Sequence, residues 1–173
     1  MEVLFCTKED IVRRSPILDG NLDADRIIPA LHLSQTQYLR EIIGTKLYEK
    51  YGVLITALAT NGTAIPPVYL NLLNDYIKPI LIHLATSEFL KSGGVTVSNK
   101  GIYMHSSENS TNLTSEEIKE LVQIERDRAQ SYTERFLDWM AFNATTNNIT
   151  EWYSNSNADV SPNYESYNID FVL

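Results

Sequence analysis

PVYLNLLNDYIKPILIHLATSEFLK, Pro67–Lys91, is the stretch on which the fold turns. Tyr69, Leu72, Leu73, Tyr76, Ile80 and Leu84 form one apolar stripe, and Ile77, Leu81 and Phe89 widen it, which predicts a helix over 67–91. From Tyr76 to Leu90 the segment is apolar on most sides, so it belongs at the centre of a helical bundle. Pro79 lies inside it. A mid-helix proline removes one backbone hydrogen bond and crowds the preceding turn, at ~3 kcal/mol unless the helix bends. A kink is therefore expected near Asp75–Pro79.

Toward the N-terminus, DADRIIPALHLSQTQYLREIIGTKLYEKY, Asp23–Tyr51, repeats the helical pattern. Ile28, Leu31, Leu39 and Ile42 set its buried face, and Gln35 is the lapse in it. Asp23 or Asp25 can cap the start, and Pro29 falls within or just after the first turn. Gly44 supplies a left-handed stop, and Thr45 caps a following helix through Glu49 or Tyr51. VLITALAT continues that helix despite Gly52, until NGTAIPP breaks the pattern. A short first helix runs from Thr7, its N-cap, to about Arg14, with Glu9 and Asp10 in its first turn and Ser15-Pro16 ending it.

Toward the C-terminus the character changes. In SGGVTVSNKGIYMHSSENSTN, Val95, Val97, Ile102 and Met104 alternate with polar or small residues, and SNKG, which contains Lys100, has the composition of a tight turn. This predicts a β-hairpin hinged at Gly93-Gly94 and projecting from the bundle. Thr114–Glu117 reads as a capping box. A helix should follow to about Asn143 with Ile118, Leu121, Tyr132, Phe136 and Met140 toward the core. Residues 151–173 lack periodicity and are rich in Asn and Ser, yet they carry Trp152, Tyr153, Tyr164, Tyr167 and Phe171. Disordered tails are poor in aromatics, so these rings are expected to anchor an extended tail in grooves of its own domain or a neighbour. The fold class that results is mainly α: an antiparallel helical bundle over 1–150 with one projecting hairpin, about 94–105, and an extended C-terminal tail over 151–173. The candidate interface comprises Val95, Val97, Lys100, Ile102 and Met104 of the hairpin with the five tail aromatics.

The 173 residues suffice for one core, and a formal charge of −8 argues against a free-standing nucleic-acid binder or an anionic membrane as target. No apolar run approaches the ~20 residues of a membrane span. The opening MEVLFCTKEDIVRR lacks the layout of a signal peptide, and the Asn-x-Ser/Thr triplets read as products of an Asn-rich composition. His32, His83 and His105 stand apart, with no HExxH or CxxC, so neither a metal nor a cofactor is expected. His83, on the apolar stripe, reads as a hydrogen-bonded core residue. Cys6, the single cysteine, sits near Lys8 and a helix start, which can lower a thiol's pKa, but no base accompanies it. Glu116, Glu117, Glu120, Glu125, Asp127 and Glu134 alternate with Lys119, Arg126, Arg128 and Arg135, the pattern of a solvated helix face. No enzymatic activity is expected.

KEDIVRR, DADRIIP and IIGTKLYEKY together resemble segments of small helical head–tail connector (adaptor, or neck ring) proteins of tailed bacteriophages, including crAss-like and other phages of Bacteroidetes. The resemblance covers about residues 5–140 and is clearest over 8–51. It implies a structural virion protein that forms a ring, commonly dodecameric, docked against the portal protein and the adjacent neck or tail ring. Genomic DNA would pass through the channel without sequence-specific binding. The implied location is the virion neck, after assembly in the bacterial host cytoplasm. The alternative is a small cytosolic helical adaptor or regulatory binding protein.

Overall fold

The structure is a computed structural model and describes residues 3–15, 24–92, 95–98, 101–104, 114–153 and 159–162. The chain is mainly helical. Helix α1 is Lys8–Arg14. Helix α2 covers 24–43 and α3 is Thr45–Asn61. Helix α4 covers 67–92. Strands β1, Val95–Ser98, and β2, Gly101–Met104, pair antiparallel with Val95 opposite Met104. Helix α5 is Ser115–Asn143, and α6 is Thr150–Tyr153. Helix α4 is the axis, packed against both α5 and α2.

Pro79 shapes that axis. The irregularity expected at Asp75–Pro79 takes the form of a π turn, Leu73–Ile77, in which the Lys78 amide reaches back to the Leu73 carbonyl. The Asn74 carbonyl then has no α-helical donor, and its π partner would be Pro79, which carries no N–H. Arg14 fills the gap: its Nη1 donates to the Asn74 oxygen at 2.7 Å. Just beyond, the Lys78 ammonium pairs with Asp10 at 2.9 Å, and the Cys6 thiol lies 3.9 Å from the Lys78 carbonyl as a weak donor. Of the stripe, Ile80 and Leu84 are buried, whereas Tyr76 and Phe89 are only partly so.

Helix α2 also contains a π turn, Ser34–Leu39, and this moves its buried face. Counting back from Leu39 at α-helical spacing places Ile28 inside, but the extra residue of the π turn shifts the face by one. Ile27 is 1% exposed and Ile28 is 42% exposed. Gln35 is fully buried at the turn. Its carbonyl oxygen accepts from the Phe5 amide at 2.8 Å, and its Nε2 donates to the Val3 carbonyl at 2.9 Å and the Tyr48 hydroxyl at 3.1 Å. The apparent lapse in the stripe is thus the anchor of the N-terminal segment.

Both expected caps at local termini are present. Thr7 exchanges hydrogen bonds with Asp10, and Thr114 with Glu117. Asp23, the other candidate cap, lies outside the described residues. The Gly44–Thr45 junction differs from expectation. Gly44 adopts φ 77°, ψ 158°, a region open essentially to glycine, and no side chain caps α3.

Replacing Gln35 with Ala should strand the Phe5 N–H and the Val3 carbonyl, at ~1–3 kcal/mol for a buried unpaired group. Urea denaturation should register the loss, and the Phe5 amide should exchange faster than in the parent chain. Unchanged Phe5 exchange would show that the N-terminal segment is held by other contacts.

Candidate functional site

Besides the Asp10–Lys78 pair, the described ion pairs lie in a seam between α4 and α5 and where the C-terminal region joins the body. In the seam, the Nδ1 of His83 lies 2.7 Å from Oε2 of Glu125, and Arg128 donates to the other carboxylate oxygen. Tyr132 stacks on the imidazole, with centroids 5.6 Å apart and planes 16° from parallel. Glu125 is 0% exposed, so the acidic run on α5 is not solvated throughout. Glu116, Glu117, Glu120, Asp127 and Glu134 face solvent as expected, whereas Glu125 and Arg126 face α4. Burial pushes the Glu125 carboxyl up. The His83 hydrogen bond and the charges of His83 and Arg128 more than offset this and hold it below the ordinary carboxylate value. An ionised Glu125 requires Nδ1 to carry the proton and donate.

One turn along α4, Glu88 continues the seam. It accepts from Lys91 at 2.6 Å and from the Tyr38 hydroxyl at 3.4 Å, with Arg126 at 3.8 Å. Thr86 and Thr133 return their hydroxyls to the carbonyls of Ile82 and Ala129 within their own helices. A carboxylate beside an imidazole can orient a catalytic base, but here the imidazole is packed under Tyr132 as a core member. Burial, with Asp10 nearby, pushes the Cys6 thiol well above its usual range, contrary to an activated nucleophile. Among the described residues no group of three His, Cys, Asp or Glu side chains has metal-site geometry, and no helix is long and apolar enough to cross a membrane.

The second concentration joins the C-terminal region to the body. After α5, Asn148 takes a left-handed φ of 53°, a conformation that asparagine tolerates, and turns the chain back. Ile149 and Trp152 enter the core, and Trp152 meets Phe136 edge-on at 5.5 Å. Glu151 accepts from the Tyr69 hydroxyl at 2.8 Å and pairs with Lys50 at 3.4 Å. Further on, Asp159 pairs with Arg40 at 3.0 Å. The Thr45 amide donates to the Val160 carbonyl at 2.9 Å, and the Val160 amide donates to the Thr45 hydroxyl at 3.0 Å. That hydroxyl therefore serves the C-terminal segment rather than capping α3. A Cβ on Gly44 would lie 2.7 Å from the Pro162 ring.

This arrangement revises the candidate interface. Trp152 is 5% exposed and belongs to its own core, because the Asn148 turn folds it inward. Tyr153, beside it, is exposed. Val95, Val97, Ile102 and Met104 lie on the paired strands. Lys100, Tyr164, Tyr167 and Phe171 lie outside the described residues. Residues that sequence reasoning missed are Glu125 and Gln35, polar groups on otherwise apolar faces. A carboxylate beside Arg128 and an amide within a hydrophobic stripe were the only available signals.

Fold and seam define a mainly α protein whose central helices are joined across a buried ionic contact. The chain belongs to DUF6712, a family of unknown function, whose sequence model matches residues 39–162. That stretch contains both halves of the closure at Gly44. No curated protein and no solved structure matches the chain.

Two outcomes test this geometry. Because Glu125 titrates below its ordinary value, it stabilises the fold above pH ~4.5, and that contribution is lost as pH falls through its folded-state value. Glu125→Ala should cost ~3 kcal/mol in urea melts at pH 7, as for one partner removed from a buried pair, and should flatten the acid limb of the stability profile. Separately, Gly44→Ala should lose ~1–3 kcal/mol through its forbidden backbone angles. It should also expose the Thr45 amide to exchange by displacing Pro162; slow exchange there would refute the closure.

Proposed function

We propose that this chain is a structural subunit of a ring in the neck of a tailed bacteriophage, joining the portal to the tail and letting DNA pass. The observation that carries the reading is the β1–β2 pair. Its strands bond to each other and to no third strand among the described residues, in a connection between the two long helices that pack together. A two-stranded unit is marginal alone in water. The reading makes it a projecting hairpin in an antiparallel bundle, with Val95, Val97, Lys100, Ile102 and Met104 meeting a neighbouring subunit or the next ring.

Other features support it. Phe142 is 80% exposed and Tyr153 is also exposed, leaving aromatic surface at the far end of α5 and on α6. A rigid subunit repeated about an axis closes a ring, and the buried α4–α5 contact and the two moored π turns supply rigidity. The acidic balance suits a channel that DNA slides through, because neutralised phosphates make DNA adhere. The role requires no catalytic step, cofactor or metal. Its partners are further copies of the chain, the portal protein and adjacent neck or tail rings, and its location is the virion, after assembly in the host cytoplasm.

Deleting 94–105 should leave the helical circular dichroism and melting nearly intact while abolishing assembly seen by mass photometry. A parent chain that stays monomeric at every concentration and is absent from purified virion necks would end the ring reading. Unfolding of the deletion variant would instead place the hairpin in the core.

A further inference from the structure

Asp159–Pro162 sits on the body through three contacts with α2, α3 and the residue between them. Asp159 pairs with Arg40 at 3.0 Å. The Val160 backbone exchanges two hydrogen bonds with Thr45, accepting from its amide at 2.9 Å and donating to its hydroxyl at 3.0 Å. The buried ring of Pro162 lies so near Gly44 that a Cβ there would be 2.7 Å from it. Thr45 opens α3, which has no side-chain cap, so the segment supplies the acceptor that its amide needs. These are the means by which proteins recognise short peptides: main-chain bonds give affinity, and seats for side chains give specificity. Here Arg40 selects an acid, and the bare glycine selects a proline three positions on. The hold is light. Asp159 and Ser161 are exposed, and an ion pair whose Asp159 side chain is 73% exposed contributes little. A unit with so few buried contacts opens locally at far lower cost than the helical core.

We propose that Arg40, Gly44 and Thr45 form a binding site for a short peptide with an acid and a proline three positions apart, and that copies of this chain exchange Asp159–Pro162 through it. A second copy carries the identical ligand. The two hydrogen bonds with Thr45, the charge match with Arg40 and the seat on Gly44 are therefore the same whichever copy supplies the segment. Only the connection differs, which makes exchange of an identical element a low-cost route to association. The tether favours the chain's own segment in dilute solution, and a neighbour's segment competes as copies approach millimolar concentration. Site and segment are different patches of surface, so exchange links copies head to tail or, when reciprocal, in pairs. The proposal does not rest on the ring reading, because exchange in pairs satisfies it.

The test uses two full-length chains. The acceptor, isotopically labelled, carries Asp159→Ala and Pro162→Ala, which weaken its own segment and leave the site intact. Its Thr45 amide should exchange at least about tenfold faster than in the parent chain, as for a group released from local protection. The donor, unlabelled, carries Gly44→Ala, which blocks its site and leaves its segment intact. At millimolar concentration the donor should slow exchange of the acceptor's Thr45 amide at least about twofold, the effect of filling half the sites. A donor that also carries Asp159→Ala and Pro162→Ala should have no effect. A synthetic peptide of residues 157–163 should act as the donor does, and it decides the matter if Gly44→Ala fails to fold. Thr45 exchange that neither intact donor nor peptide slows would overturn the proposal. So would equal slowing by the altered donor, or an acceptor whose Thr45 amide exchanges no faster than the parent's.

Discussion

Everything in this fold answers to a missing hydrogen. Pro79 cannot donate to the helix that it occupies, so α4 widens into a π turn and leaves the Asn74 carbonyl open. An open carbonyl takes a donor from the protein or from water, and here Arg14 supplies it. That contact helps to hold α1 against the π turn, together with the burial of Ile11. It also brings Asp10 to Lys78 and Cys6 to the carbonyl beyond. The π turn of α2 does the corresponding work on the other side, presenting Gln35 to Val3 and Phe5. Two irregular turns in two packed helices thus moor the same N-terminal segment at both its ends.

The second organising contact is ionic. Glu125 and His83 join α5 to α4, in a seam that Glu88 and Arg126 continue. Hydrophobic faces tolerate sliding, because one leucine can replace another in a groove. A buried carboxylate cannot slide without losing its partner. The pair therefore selects one register for the two helices at modest net gain in stability.

What the sequence made legible follows from how local each determinant is. The N-cap at Thr7, the capping box at Thr114 and the stop at Ser15 were readable, because their partners lie within a few residues. The face of α2 was readable up to the π turn, beyond which the same period points to Ile28 instead of Ile27. Gln35 and Glu125 were opaque, since their partners lie 30 and 42 positions away and their polarity alone suggests solvent. Trp152 was misassigned for a related reason. It sits in an aperiodic stretch, and only the backward turn at Asn148 makes it a core residue.

The hydrogen bonds between Thr45 and Val160 span 115 positions of chain. Closing so long a loop in an unfolded chain forfeits roughly 4 kcal/mol of entropy, so the contact forms only after the helices between have brought its ends together. During synthesis Gly44 emerges long before Pro162, and α2 and α3 must pack while that end of the junction is bare. Closure then marks the completion of the domain. The Gly44 site is filled only once Val160 and Pro162 have been made and the helices between have packed.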